Sequence, residues 1–326
     1  MVSGFDPRSR GTRQEGFMTF RASRTLGVLF LVALLAVPAR TADAATRKTR
    51  SSLHPAAKAH AGTPAHGRRH RGRRLAPPAG GVYARNAILI DPATGEVLFE
   101  KNSSSPVPIA SLTKLMTALV FLEQKPELGR EVEVTLAEIS GAGHTQLRRG
   151  ERVALGDLLH MSLMCSDNVA TRVIARESGL TREDYLARMN RKAGELKLAS
   201  THFTEFTGLD EHNVSTAADV ARMLHAAAHD PLIQQITTTR EYEFRTARQV
   251  HAIRNTDRLL YGNWDVLGGK TGFIQEAGYC FATWIRSQGR DLIAVVLGAP
   301  TNATRFADAV RLIRKTVPST VASSGS

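Results

Sequence analysis

The sequence has only two cysteines in 326 residues, Cys165 and Cys280, and 6% aromatic residues. Two thiols cannot build a disulfide framework. Each lies in an apolar stretch, MSLMC and GYCFATW, so both are expected to be free and buried. No group of Cys and His has ligand spacing, so neither a metal nor a cofactor is expected. Histidines are present, but His144, His160, His202, His212 and His251 show no partner pattern and read as structural. No His-Asp pair stands out for a conventional Ser-His-Asp triad. Internal repeats are absent. So is an apolar run of the ~20 residues that a spanning helix needs.

Acidic residues are scarce at one end only. The formal charge of +13 would suit a nucleic-acid binder. Residues 1–80, however, hold 15 of the 43 Lys/Arg and 3 of the 30 Asp/Glu, which leaves 28 basic and 27 acidic residues in 81–326. The part that can fold is nearly neutral, so the charge marks a leader and not a binding face, and nucleic acid is excluded as a partner.

The leader has recognisable parts. Residues 26–37, LGVLFLVALLAV, follow Arg21 and Arg24 and precede the small-x-small step Ala42-Asp43-Ala44. That is the pattern of a secretory signal peptide over 1–44, and Met18 makes a more ordinary start for it than Met1. An uncleaved anchor is disfavoured by the short run. No arginine pair precedes it, which favours the general secretion route. Residues 46–80 hold nine basic residues and no acidic ones. They cannot form a core, so 45–80 is expected to be a disordered basic linker, with weak electrostatic contact to anionic wall or membrane surfaces as a sharper reading.

The foldable part, 81–318, has strands at both ends and helices between; 319–326 reads as a tail. YARNAILIDPATGEVLFEKN is a hairpin turning at Asp91–Gly95. Helical patterns follow from about Ile109 and in GDLLHMSLM, DNVATRVIARES, REDYLARMNRKAGEL, TAADVARMLHAAA and PLIQQIT. Strands are expected in REYEFRT, RQVHAIRN, GYCFATWIRS and RDLIAVVLGA. An amphipathic helix ends the domain, with Asn302 as its N-cap. The hairpin is too small to stand alone and should join the last strands in one antiparallel sheet. The expected class is α/β in the broad sense (α+β), with helices on the sheet and a helical lobe beside it. The cleft between lobe and sheet is the natural site.

PVPIASLTKLMTALVFLE, residues 106–123, is apolar nearly all round, as a buried helix is. Yet Ser111 and Lys114 stand three apart near its start, on one face. Burial lowers a lysine pKa, and the helix N-terminus pushes the same way. A neutral amine beside a hydroxyl can serve as its general base. The Ser111 N–H, in the first turn, can point at an oxyanion. Alone the pair is weak, since roughly one S-x-x-K is expected by chance in such a chain.

Two triplets add weight. Ser166-Asp167-Asn168 sits between two helices, and Lys270-Thr271-Gly272 comes just before the strand GYCFATW. Ser166 can relay a proton to a leaving amine, and Asn168 can hold a substrate backbone. Lys270 and Thr271 can bind a carboxylate. Gly272 leaves room for an extended substrate against the strand. The Phe273 N–H can be a second oxyanion donor. Separately, SDN reads as a helix N-cap and KTG as a turn. In this order the three motifs form the set of serine β-lactamases and penicillin-binding proteins.

The folded part resembles the low-molecular-mass penicillin-binding proteins, the D-alanyl-D-alanine carboxypeptidase/endopeptidase family, in PIASLTKLMTALVFLE, FTGLDEHNVSTAADVARML, RNTDRLLYGNWDVLGGKTG and EAGYC. The likeness runs from about Tyr83 to Val317. HNVSTA, the PLI…TTRE segment at 231–241 and the NTD-to-NW run look most like the endopeptidase branch of penicillin-binding protein 7. The resemblance implies a serine β-lactamase/DD-peptidase-like fold, an acyl-enzyme on Ser111 and Lys114 as base. It also implies Ser166 and Asn168 as relay and anchor, and Lys270 and Thr271 as carboxylate binders. The implied partners are peptidoglycan stem peptides, with β-lactams as covalent inhibitors, and the implied location is the periplasm, soluble or loosely membrane-associated. The expected reaction is cleavage of D-Ala-diaminopimelate cross-links, with terminal D-alanyl-D-alanine carboxypeptidase action as the alternative. Position 274 is Ile where the family usually has Thr. The chain ends soon after its last helix, which suits the endopeptidase branch. A class A β-lactamase needs an E-x-x-x-N context, but Glu205 is followed four residues later by Leu209. A non-catalytic wall-binding protein is disfavoured by the intact motifs.

Overall fold

The computed structural model describes residues 81–315. The expected signal peptide (1–44), basic linker (45–80) and tail (319–326) lie outside the described residues.

The chain starts with the hairpin β1 (Asn86–Ile90) and β2 (Val97–Lys101), then a short β3 (Val107–Pro108) and the helix α1 (Thr113–Glu123). The lobe follows as β4 (Glu131–Glu133), α2 (Leu136–Ile139), β5 (Arg152–Ala154), α3 (Leu155–Met164), α4 (Asn168–Arg176) and α5 (Arg182–Glu195). Next come β6 (Val214–Ser215), α6 (Ala217–Ala228), α7 (Pro231–Thr238), β7 (Glu241–Arg245) and β8 (Val250–Arg254). The domain closes with β9 (Asp265–Ile274), β10 (Gly278–Ser287), β11 (Arg290–Ala299) and α8 (Asn302–Lys315).

The first hairpin does join the last strands. The sheet runs β2-β1-β11-β10-β9, antiparallel throughout, with β1 paired to β11 from Asn86↔Leu297 to Ile90↔Ile293. The reason is legible in β11, whose apolar run is buried on both faces. Ile293, Val295 and Leu297 join the core of the helical lobe, while Leu292, Ala294 and Val296 pack with Phe306, Ala309, Leu312 and Ile313 of α8. Alternate side chains of a strand face opposite ways, so helices on both sides require this pattern. Each Val, Leu, Ile or Phe among them contributes about 1.5–3 kcal/mol when fully buried.

Four expectations need correction. REYEFRT and RQVHAIRN form strands, but β7 and β8 pair only with each other, outside the main sheet. Lys270-Thr271-Gly272 comes before GYCFATW as expected, but it is not a turn: it lies inside a strand that was not expected, β9, which its Gly268-Gly269 step disguised. Asn302 is the first residue of α8, and its buried Oδ1 has no partner. The cap is Thr301, whose Oγ1 accepts from the Thr304 N–H at 3.1 Å. Finally, Cys280 is free and buried as expected, but Cys165, also free, is only half-buried.

Behind β9 lies Asp257. Its Oδ1 accepts from the Leu259 N–H at 2.8 Å, but its buried Oδ2 has no partner. A side chain at position 269 would stand 2.9 Å from that oxygen, so Gly269 makes the room. Burial pushes the Asp257 carboxyl up to about 7. In the unfolded chain it titrates near 4. Below about pH 4 both states hold the proton. Between about 4 and 7 only the unfolded state releases it, so stability falls as pH rises, by up to a few kcal/mol. We expect the melting temperature of Asp257→Asn, relative to the wild type, to increase from pH 5 to pH 8. A constant difference across that range would show that Asp257 is ionised throughout.

Candidate active site

The nucleophile candidate does not sit in an α-helix. Ser111 is the middle of a tight 3-10 turn, Ala110–Leu112, that leads into α1. Ala110 has φ +49°, in the left-handed region that costs a residue with a Cβ about 1–3 kcal/mol. Two glycines explain how the turn is held. Gly208 has φ +84°, and a Cβ there would lie 1.9 Å from the Ala110 carbonyl oxygen. A Cβ on Gly272 would lie 3.0 Å from both the Ile109 carbonyl oxygen and the Ser111 nitrogen. The turn is therefore clamped between the 205–209 loop and β9. The missing side chain of Gly272 thus admits the Ser111 turn.

Lys114 follows on the first turn of α1 and is fully buried. Its Nζ donates to Ser111 Oγ at 2.9 Å, Asn168 Oδ1 at 2.7 Å and the Thr207 carbonyl at 2.6 Å. Burial lowers its pKa to about 7, against a smaller upward pull from Glu205 and Asp167. The geometry then fixes the direction of the lone pair. A neutral amine has two hydrogens, and the Asn168 and Thr207 oxygens can only accept. They take both hydrogens, so the lone pair faces Ser111 Oγ. Asn168 is itself oriented by its Nδ2, which donates to the Ala142 carbonyl at 2.8 Å.

The second triplet divides its labour. Asp167 caps α4, its Oδ1 accepting from the Ala170 N–H at 2.9 Å, as the plain N-cap reading holds. Ser166, at φ +63°, is turned away from the helix. Its Oγ accepts from Lys270 Nζ at 2.8 Å, and that amine also donates to the Thr271 carbonyl at 3.0 Å. Lys270 is buried, and burial, with the nearby Lys114, pushes its pKa well below the lysine range. Thr271 Oγ1 lies 2.6 Å from Thr256 Oγ1. Two hydrogen-bonded groups result, Ser111–Lys114–Asn168 and Ser166–Lys270–Thr271, and Gly272 lets β9 lie against the Ser111 turn. Phe273 continues β9, the edge strand of the sheet, and is about half exposed with its ring stacked on Tyr279. Ile274 packs against the core of the lobe.

Two positioning residues escaped the sequence reading. Thr256 ties β9 to the end of α3, donating from its backbone to the Met164 carbonyl at 3.0 Å. Arg305 donates to the Gly272 carbonyl at 3.0 Å from behind the sheet. Its signal was present: Arg305 stands at the spacing of the buried face of α8, with Ala309 and Leu312. Glu205 gives no deacylating base. Its carboxylate accepts from the N–H groups of Thr207, Gly208 and Leu209 and from Asn213 Nδ2, so the loop consumes it. Two histidines find partners the sequence did not reveal, His251 with buried Glu151 and His212 with Asp210, but neither touches Ser111. Among the described residues no group of three or more His, Cys, Asp or Glu could hold a metal.

Gly272→Ala tests the clamp. The added methyl must move β9 or the Ser111 turn, at about 1–3 kcal/mol. We expect acylation by a fluorescent penicillin to slow by roughly tenfold or more, and the melting temperature to fall by a few degrees. Acylation at the wild-type rate would show that the turn is held otherwise.

The chain is similar to known proteins over most of its described residues. The family model described as D-alanyl-D-alanine carboxypeptidase, peptidase S11, matches residues 73–301. The D-alanyl-D-alanine endopeptidase of Pseudomonas aeruginosa is 37% identical over 234 residues, 70% of this chain and 76% of that protein. The D-alanyl-D-alanine carboxypeptidase DacF of Bacillus subtilis is 32% identical over 237 residues, 71% of this chain and 61% of that protein. Among solved structures, the Streptomyces K15 DD-transpeptidase superposes with a TM-score of 0.68 at 27% identity, covering 72% of this chain and 96% of that one.

Proposed function

Since this chain belongs to the D-alanyl-D-alanine carboxypeptidase family of peptidases, we propose that it is a serine DD-peptidase that cleaves peptidoglycan cross-links between D-Ala and diaminopimelate. The observation that carries the reading is the buried Lys114 amine, held by two carbonyl oxygens so that its lone pair faces Ser111.

The reaction follows from that placement. Neutral Lys114 takes the Ser111 hydroxyl proton as Oγ attacks the D-Ala carbonyl carbon. The N–H groups of Ser111 and Phe273 receive the oxyanion. The proton taken up by Lys114 passes through Ser166 to the leaving nitrogen, the C–N bond breaks, and an ester on Ser111 remains. Water then attacks the ester and gives a proton to Lys114, which returns it to Ser111 Oγ as the ester C–O bond breaks and the acid leaves. Asn168 anchors the substrate backbone, while Lys270 and Thr271 receive the carboxylate beside the scissile bond. A terminal D-Ala–D-Ala bond offers the same carboxylate on a D-centre. Carboxypeptidase action is therefore the second reading, supported by a relative of that name. β-Lactams would acylate Ser111 in the same way.

We place this activity in the periplasm, where the pattern at residues 18–44 would send the chain and where such a substrate lies. None of the helices among the described residues is long and apolar enough to cross a membrane. The nine basic residues of 46–80 suit weak contact with an anionic wall or membrane surface.

Incubating residues 45–326 with a cross-linked muropeptide dimer and weighing the products tests the proposal. We expect two monomers, and none from Ser111→Ala. An intact dimer, with single alanines lost from pentapeptide stems, would establish the carboxypeptidase reading instead.

A further inference from the structure

A groove of about 810 Å³ opens on the lobe. Its walls are α4 and the loop that follows α5, and each wall reaches Lys114 within a few residues. On α4, Arg172 and Arg176 stand four and eight residues after Asn168, which accepts from Lys114, so they continue one helix face away from it. On the loop, Glu205 and Phe206 line the groove immediately before Thr207, whose carbonyl also accepts from Lys114. The groove is therefore tied to the site by two short stretches of chain, on the side of the lobe. The carboxylate-binding pair, Lys270 and Thr271, is on the sheet.

The charges in the groove are unevenly matched. Its three acids are all occupied. Glu205 is consumed by its own loop. Glu138 accepts from the Thr135 N–H and hydroxyl and pairs with Arg176, and Asp210 is held by His212. Of the three arginines, only Arg176 is in ion pairs. Arg172 donates through Nη1 alone, to the Glu138 and Ser140 carbonyls, which fixes its plane and leaves Nε and Nη2 without a protein partner. Arg182 lies over the Phe206 ring at 5.2 Å, with one long contact to the Thr204 carbonyl. Two guanidinium groups, each held in place by uncharged neighbours, thus face the groove without a carboxylate. A planar fork held in this way is suited to bind one.

We propose that this groove is the subsite for the acyl side of the substrate, and that Arg172 and Arg182 bind free carboxylates of the stem peptide upstream of the scissile bond. The assignment rests on the peptidase reading above, in which the leaving side is taken by Lys270 and Thr271. The volume suits several peptide residues. Leu209, exposed at the rim, and Phe206 below it give the aliphatic stem an apolar contact.

The test compares two stem substrates, one with free acyl-side carboxylates and one with those groups converted to carboxamides. kcat/KM is measured on both for the wild type, Arg182→Gln and Arg172→Gln, with penicillin acylation of the same samples reporting an assembled nucleophile. We expect the wild type to prefer the carboxylate form by roughly tenfold or more, as charge-assisted hydrogen bonds imply. Each variant should bring the preference close to unity. Equal turnover of the two substrates by the wild type, or a preference that survives in both variants, overturns the proposal. If neither stem is cut by a protein that penicillin still acylates, the peptidase reading fails by itself. The dissociation constants of the two stems with Ser111→Ala then decide the groove: roughly tenfold tighter binding of the carboxylate form supports it, and equal binding overturns it.

Discussion

The site depends on a lysine whose charge burial makes easy to lose. Lys114 lies wholly inside the lobe, and burial brings its pKa to about 7. Desolvation alone would give a neutral amine without direction. The Asn168 and Thr207 oxygens supply the direction, because neither can donate and each takes one hydrogen. What is left of the amine faces Ser111. Asn168 opens α4, and Thr207 belongs to the loop folded around Glu205. Helix and loop therefore matter to the chemistry chiefly as holders of two carbonyl oxygens.

The same economy governs the nucleophile. Ser111 sits on a strained turn, with Ala110 in the left-handed region, and the strain persists because three backbones meet there. Gly208 and Gly272 are the contact points, and any side chain at either would push the turn away. Arg305 then fixes β9 from the opposite face through the Gly272 carbonyl. The sheet thus holds the Ser111 turn from one side, and the lobe places Lys114 beside it.

Much of this was legible in the residues. The S-x-x-K spacing placed Lys114 beside Ser111, because i and i+3 share a face in a 3-10 turn as they do in an α-helix. The closing of the sheet by the first hairpin followed from its inability to stand alone. Other features were hidden for physical reasons. β9 carries a Gly-Gly step, which weakens any strand signal, although close approach of backbones at the site calls for small residues there. The Thr207 carbonyl is a main-chain group, and no side-chain pattern announces it. The clamp at Gly272 depends on two segments some 160 residues apart, a contact that spacing cannot express. The pairing of β7 with β8 alone was invisible for a related reason: their alternation says that one face is covered, not by what.

The groove and the site share α4, which carries Asn168 and, one helical turn on, Arg172. The account stands or falls on the state of Lys114, to which Asn168 is bonded. The most direct measurement is a pH titration of Lys114 by carbon-13 NMR of its Cε, with Lys114→Arg to assign the signal. The account predicts a midpoint near 7. A midpoint near 10.4, the ordinary value for lysine, would contradict it, because Ser111 would then have no base at neutral pH.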